Sequence, residues 1–163
     1  MSGARSLRTI GHSNHSLEKF LGLLATHDIA TLIDVRSWPS SRRLPHFNRA
    51  VLQESLATAG INYLWFGKEL GGKGDGNTVA PAFRARIEEL AKVATREQAA
   101  IMCAEENPLH CHRKNLLGEP LSDIGIDMLH IRGDGSLAAD DTLNAGNAGN
   151  AGQSARLSLF SDD

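Results

Sequence analysis

Apolar positions in the first 131 residues switch between a strand-like and a helix-like period, and the switches divide the segment into alternating elements. Residues 8–12, RTIGH, form a short apolar run that suits a strand. Ser16 then stands where an N-cap belongs, before an amphipathic helix LEKFLGLLATHD with Phe20, Leu21, Leu23 and Leu24 along one side. TLIDVR (31–36) is β-branched and almost continuously hydrophobic, as a strand buried on both faces requires. The next stretch, SWPSSRRLPHF, carries two prolines and several serines and reads as an irregular surface loop. Asn48 is placed to cap the helix RAVLQESLATAG, which ends on Gly60.

The alternation continues. NYLWF (62–66) reads as a third strand, KELGGKGDGNTVAP as a long glycine-rich loop, and AFRARIEELAKVAT as a helix. QAAIMCAE (98–105) is a fourth strand, and ENPLHC turns the chain into RKNLLGEPLSDIG, a helix with an irregularity expected at Pro120. IDMLHI (126–131) is the last strand. This order predicts an α/β fold: a mostly parallel sheet of about five strands with helices on both faces, a Rossmann-like three-layer architecture.

At Arg132 the composition changes. GDGSLAADDTLNAGNAGNAGQSA is small and polar, with three NAG triplets between Asn144 and Gly152. Such a stretch cannot bury enough apolar surface to offset the entropy of ordering it. The expected organisation is therefore a single α/β domain over residues 1–131 and a flexible tail over 132–163. The tail ends in RLSLFSDD, which collects Leu157, Leu159 and Phe160 at an otherwise polar tip.

Composition narrows the setting. No apolar run approaches the roughly eighteen residues that a membrane helix needs, and the first residues lack the apolar core of a signal peptide. Two cysteines in such a chain point to a reducing, cytoplasmic environment and argue against a disulfide. The net charge of −2 conceals an asymmetry. No acid occurs between Asp34 and Glu54, whereas Arg36, Arg42, Arg43 and Arg49 all lie there. That patch suits a phosphate-bearing partner, although a solvated loop of ordinary arginines would look the same.

In an open parallel sheet, ligands collect at the C-terminal ends of the strands. Strand one delivers His12 and Ser13 to that edge, where they could cradle an anion or place a general base. Strand two delivers Asp34 and Arg36 and leads into Arg42 and Arg43; Asp34 could orient a histidine or arginine, or be structural. Strand four leads to Glu105, Cys111, His112 and Arg113. A helix start at Cys111 would favour its thiolate, and the same geometry binds phosphate. The alternatives are a nucleophile, an anion-binding corner, or a small buried cysteine with His112 and Arg113 pairing locally. The cysteine and histidine spacings here do not match a common metal site, so no metal and no cofactor is expected.

Several of these segments together resemble a known family. TIGHSN, LIDVRSWPSSRRLPHFN, the LGG after the third strand, MCAEENPLHCHR and the closing LHI are similar, in order, to the domain-of-unknown-function 488 family over about residues 8–131. Lys114, Asn115 and Leu116 depart from the serine, leucine and isoleucine usual after the arginine. The resemblance implies a compact α/β domain and no established reaction. The tail, Arg156 followed by Leu157, Ser158, Leu159 and Phe160, resembles a bacterial sliding-clamp-binding peptide, with arginine where glutamine is usual.

Two functional expectations follow. The first is an enzyme or binder acting on a nucleotide or nucleic acid, with His12, Ser13, Asp34, Arg36, Arg42, Arg43 and Arg113 on the substrate and Cys111, His112 or Glu105 in the chemistry. The second is a non-enzymatic, DNA-associated adaptor that reaches the sliding clamp through its tail.

Overall fold

The computed structural model describes residues 5–70, 81–104 and 112–139. Its strands are β1 (Arg5–Gly11), β2 (Thr31–Asp34), β3 (Asn62–Trp65), β4 (Ala99–Cys103), β5 (Ile126–Ile131) and β6 (Leu137–Ala139). Its helices are α1 (Leu17–Thr26), α2 (Arg49–Thr58), α3 (Gly67–Leu70), α4 (Pro81–Arg96) and α5 (His112–Asp123), with a 3-10 turn at Pro45–Phe47. All six strands form one sheet in the order β3-β2-β4-β1-β5-β6. The first five are parallel and β6 closes one edge antiparallel to β5.

Strand order dictates the layers. The connections from β1 to β2 and from β2 to β3 progress one way along the sheet, and those from β3 to β4 and from β4 to β5 progress the other way. Right-handed crossovers then place α1 and α2 on one face and α4 and α5 on the other. The core divides accordingly. Phe20, Leu23 and Leu24 of α1 and Leu52 and Leu56 of α2 pack with Leu32, Ala100 and Met102. Phe83, Ile87, Leu90 and Val93 of α4 and Leu117 and Leu121 of α5 pack with Ile33, Ile101 and Cys103. Alternate residues of β2 and β4 thus serve opposite faces, which explains the unbroken hydrophobicity of those strands. Each fully buried leucine or phenylalanine contributes about 1.5–3 kcal/mol.

Local sequence sets the element ends. Ser16 caps α1, its hydroxyl accepting a hydrogen bond from the Lys19 N–H at 3.1 Å. Asn48 occupies the N-cap position of α2 but makes no cap hydrogen bond; its Oδ1 accepts from the Ser41 N–H instead and ties down the preceding loop. Gly60, at φ +80°, lets the chain leave α2 in the left-handed region. α5 runs through Pro120.

The mostly parallel sheet between helices agrees with the expected fold of about five strands; among the described residues a sixth strand, Leu137–Ala139, lies beyond Arg132, where composition placed the start of the tail. Two expectations need adjustment. Gly67–Leu70 forms a short helix where the glycine-rich sequence reads as loop. Cys103 is buried in the core, as expected, but it is disulfide-bonded rather than reduced. The chain's other cysteine, Cys111, lies outside the described residues. Among the described residues no helix is long and apolar enough to cross a membrane.

Candidate functional site

β1 and β2 end on the same side of the sheet with β4 between them. The loops after β1 and β2 lead to one face and the segment after β4 leads to the other. In open parallel sheets, ligands bind where neighbouring connections part to opposite faces in this way. Parallel pairing extends past the strands there: the His12 N–H donates to the Cys103 carbonyl at 2.9 Å, and the Ser13 N–H to the Ala104 carbonyl at 2.8 Å. Ser13 holds φ at +46°, a left-handed conformation that a serine adopts only when its surroundings impose it.

Asp34 ends β2 fully buried, and Arg36 lies beside it only 6% exposed. The guanidinium spans the carboxylate, with Nε donating to Oδ1 and Nη2 to Oδ2, each at 2.9 Å. Oδ1 also accepts from the Arg36 backbone N–H at 3.0 Å, and Oδ2 from the Tyr63 hydroxyl at 2.6 Å. With four donors the carboxylate is saturated, which is what a buried charge requires. The Arg36 carbonyl accepts from the Trp65 indole N–H at 2.8 Å. The close passage of β3 under this carbonyl is why position 67 is glycine: a Cβ there would collide with the Arg36 carbonyl oxygen and the Trp65 Nε1. Arg49, exposed on α2, lays its guanidinium over the Trp65 ring at 4.9 Å.

Arg36 Nη1 lies 3.5 Å from His12 Nε2, and His12 Nδ1 lies 2.9 Å from the Ser13 carbonyl. A carbonyl only accepts, so Nδ1 carries the proton and Nε2 presents its lone pair to the arginine. The ring stacks on Phe47 from the 3-10 turn, with centroids 4.4 Å apart. Burial lowers the His12 pKa from 6.5 to about 4; the Ser13 hydrogen bond opposes this, and the positive charge of Arg36 adds to it. His12 is therefore neutral at pH 7. Burial and the adjacent Asp34 carboxylate push the Tyr63 hydroxyl well above the ordinary tyrosine range, so it stays a donor.

The family model described as Domain of unknown function DUF488 matches residues 16–80 and 75–118. The chain belongs to this family. No curated protein and no solved structure matches it. In this DUF488 chain the matched segments hold β2, β3 and β4, and with them Asp34, Arg36, Tyr63 and Trp65, while His12 lies just before them.

Of the residues singled out from sequence, His12, Asp34 and Arg36 meet in one buried cluster, and half-buried Ser13 forms its rim. Arg42 and Arg43 are exposed on the loop after β2. His112 and Arg113 open α5, but their side chains are not among those described. Glu105, Cys111 and the tail residues Leu157, Ser158, Leu159 and Phe160 lie outside the described residues altogether. Among the described residues, no three His, Cys, Asp or Glu side chains form a group that could hold a metal ion.

Sequence reasoning missed Phe47, Tyr63 and Trp65 as members of the site, and it noted Arg49 only as charge. The signal for β3 was present. Tyr63 and Trp65 stand two apart on a strand, so they share a face, and polar-tipped aromatics there need partners at their tips.

Proposed function

We propose that the C-terminal edge of the sheet binds a phosphate-bearing ligand, a nucleotide or a nucleic acid, and that the protein is an enzyme acting on it. One observation carries this reading: Arg36 is buried, fixed in orientation by Asp34, and has donors with no partner among the described residues. A guanidinium has five N–H groups. Three of those of Arg36 go to Asp34 and His12, which leaves two with no partner among the described residues. A pre-oriented arginine at the C-terminal ends of the strands, with donors that no described residue uses, is the geometry that phosphate recognition needs. Because Asp34 offsets the charge of Arg36, the excess positive potential comes from Arg42, Arg43 and Arg49, which no acid interrupts.

His12 has the proton-handling role in this account. Its Nε2 lone pair is turned to Arg36 Nη1, beside the place where a ligand would meet that arginine; to donate to a phosphate, Nε2 must first take up a proton and release that contact. With a pKa of about 4 the imidazole is too weak a base to work near pH 7, and an arriving phosphate would raise that value by favouring the imidazolium. Glu105, Cys111, His112 and Arg113 belong to the connection that begins after Ala104, the residue whose carbonyl receives the Ser13 N–H. Glu105 and His112 are the candidates for proton transfer and Arg113 for a further phosphate contact, whereas attack by Cys111 would require it as a free thiol.

Titration calorimetry with inorganic phosphate and with mononucleotides tests the reading. Wild-type protein binds, and His12→Gln weakens binding roughly 10- to 100-fold, the loss expected for a hydrogen bond to a charged group. Equal binding by the variant, with its circular dichroism unchanged, counts against this site.

A further inference from the structure

We propose that the loop between β2 and the 3-10 turn is a platform for single-stranded nucleic acid, with a base stacked on Trp38 and backbone phosphates held by Arg42 and Arg43. This deepens the reading above and rests on it, since it names the polymer whose phosphate would reach Arg36.

Trp38 is 70% exposed, more than any other large hydrophobic among the described residues. An indole is a large apolar surface to leave in water, and its two faces suit flat partners. The loop that carries it is built rather than slack. The Ser40 N–H donates to the Trp38 carbonyl at 2.8 Å, the Arg49 N–H to the Pro39 carbonyl at 2.9 Å, and the Leu44 N–H to the Ser41 hydroxyl at 3.1 Å. The Ser41 N–H is held by Asn48 Oδ1. Trp38 is thus presented on an ordered turn, which reduces the entropy lost when a ligand settles on it.

Charge chooses the ligand. Arg42 and Arg43 are exposed, Arg49 is exposed on the helix that follows, and the sequence from Val35 to Gln53 contains no acid. An acid-free arginine run beside an exposed aromatic fits a polyanion with flat bases. A protein partner would be expected to meet charges of both signs on the rim. A duplex keeps its base faces stacked inside, so only an unpaired strand can use the indole. The reach is adequate: Arg42 lies four positions after Trp38, at most about 14 Å of chain, so a stacked base and a phosphate close along the strand can be held together. The loop leaves β2 after Asp34, carries Arg36 at its start, and returns at Phe47, which stacks on His12. A strand on the platform therefore lies beside the buried cluster.

The experiment uses the full chain, an oligothymidylate of ~10 nucleotides, the matching duplex and a mononucleotide, read by tryptophan fluorescence and by anisotropy of a labelled strand. The chain has two tryptophans, so Trp38→Phe leaves Trp65 as an internal reference for folding. The expected result is saturable binding of the single strand with quenching that Trp38→Phe removes, and binding roughly 5- to 100-fold weaker in Trp38→Ala. Arg42→Gln with Arg43→Gln should lower the slope of log affinity against log salt by about 1.4. Unchanged affinity in Trp38→Ala, or equal affinity for the duplex, overturns the platform. Mononucleotide binding that depends on His12 without oligonucleotide binding overturns it too, while leaving the phosphate site standing. A concentration-dependent self-association that shields Trp38, with no oligonucleotide bound, identifies the loop as a protein interface and likewise overturns it.

Discussion

Arg36 and Asp34 meet through two parallel hydrogen bonds of 2.9 Å, and both are buried at the end of β2. A buried ion pair adds little net stability over an apolar pair of the same shape, but breaking one side strands a charge in a poorly solvating place. Asp34→Ala should therefore cost about 3–5 kcal/mol, seen as a lower midpoint in urea unfolding. A loss below about 1 kcal/mol would mean that the pair is not held as described.

Acid should expose the buried His12. Its folded pKa, about 4, lies below the unfolded value of 6.5, so between these values the unfolded chain binds a proton that the folded chain does not. The contribution of His12 to stability is thus intact above pH 6.5 and is lost as the pH falls toward 4, by about 3 kcal/mol. Urea midpoints measured from pH 7 to pH 4 should fall more steeply in wild-type protein than in His12→Gln. Parallel profiles would sink the assignment.

Tyr63 is the only tyrosine, so an alkaline absorbance titration reads it alone. Burial and its bond to Asp34 keep the hydroxyl protonated well past the usual value of about 10. Tyrosinate should appear only as the protein unfolds. Ionisation near the ordinary value in the folded state would show that the bond to Asp34 is absent.

Gly67 is the tight point between β3 and the site. Gly67→Ala should cost about 1–3 kcal/mol and break the Trp65 bond to the Arg36 carbonyl, since the new methyl must displace backbone on one side and the indole on the other. A shift in Trp65 emission, measured in a Trp38→Phe background, reports the rearrangement. Unaltered emission and stability would contradict the packing.

Much of this architecture is legible in the amino-acid sequence. The 3.6-residue period of LEKFLGLLATHD and the unbroken hydrophobicity of TLID mark α1 and β2 because those elements bury one stripe and two faces respectively. Strand-end placement then brings His12, Asp34 and Arg36 to one edge. What the sequence did not reveal depends on long-range pairing. β6 is only three residues long and exists because β5 offers it an open edge. Tyr63 and Trp65 join the site because β3 pairs with β2 in a register that sets Tyr63 opposite Leu32 and Trp65 opposite Asp34. No local signal carries that register. Asn48 illustrates a third case, a cap residue whose side chain the tertiary fold redirected to Ser41.

Phosphate binding where His12 and Arg36 meet is the claim on which the rest depends. A crystal of the protein soaked with a mononucleotide measures it. The phosphate should lie within hydrogen-bonding distance of the spare Arg36 N–H groups and of His12 Nε2, with the Arg36–Asp34 pair intact. A nucleotide seated elsewhere, with the His12 and Arg36 corner unchanged and without phosphate, would overturn the claim.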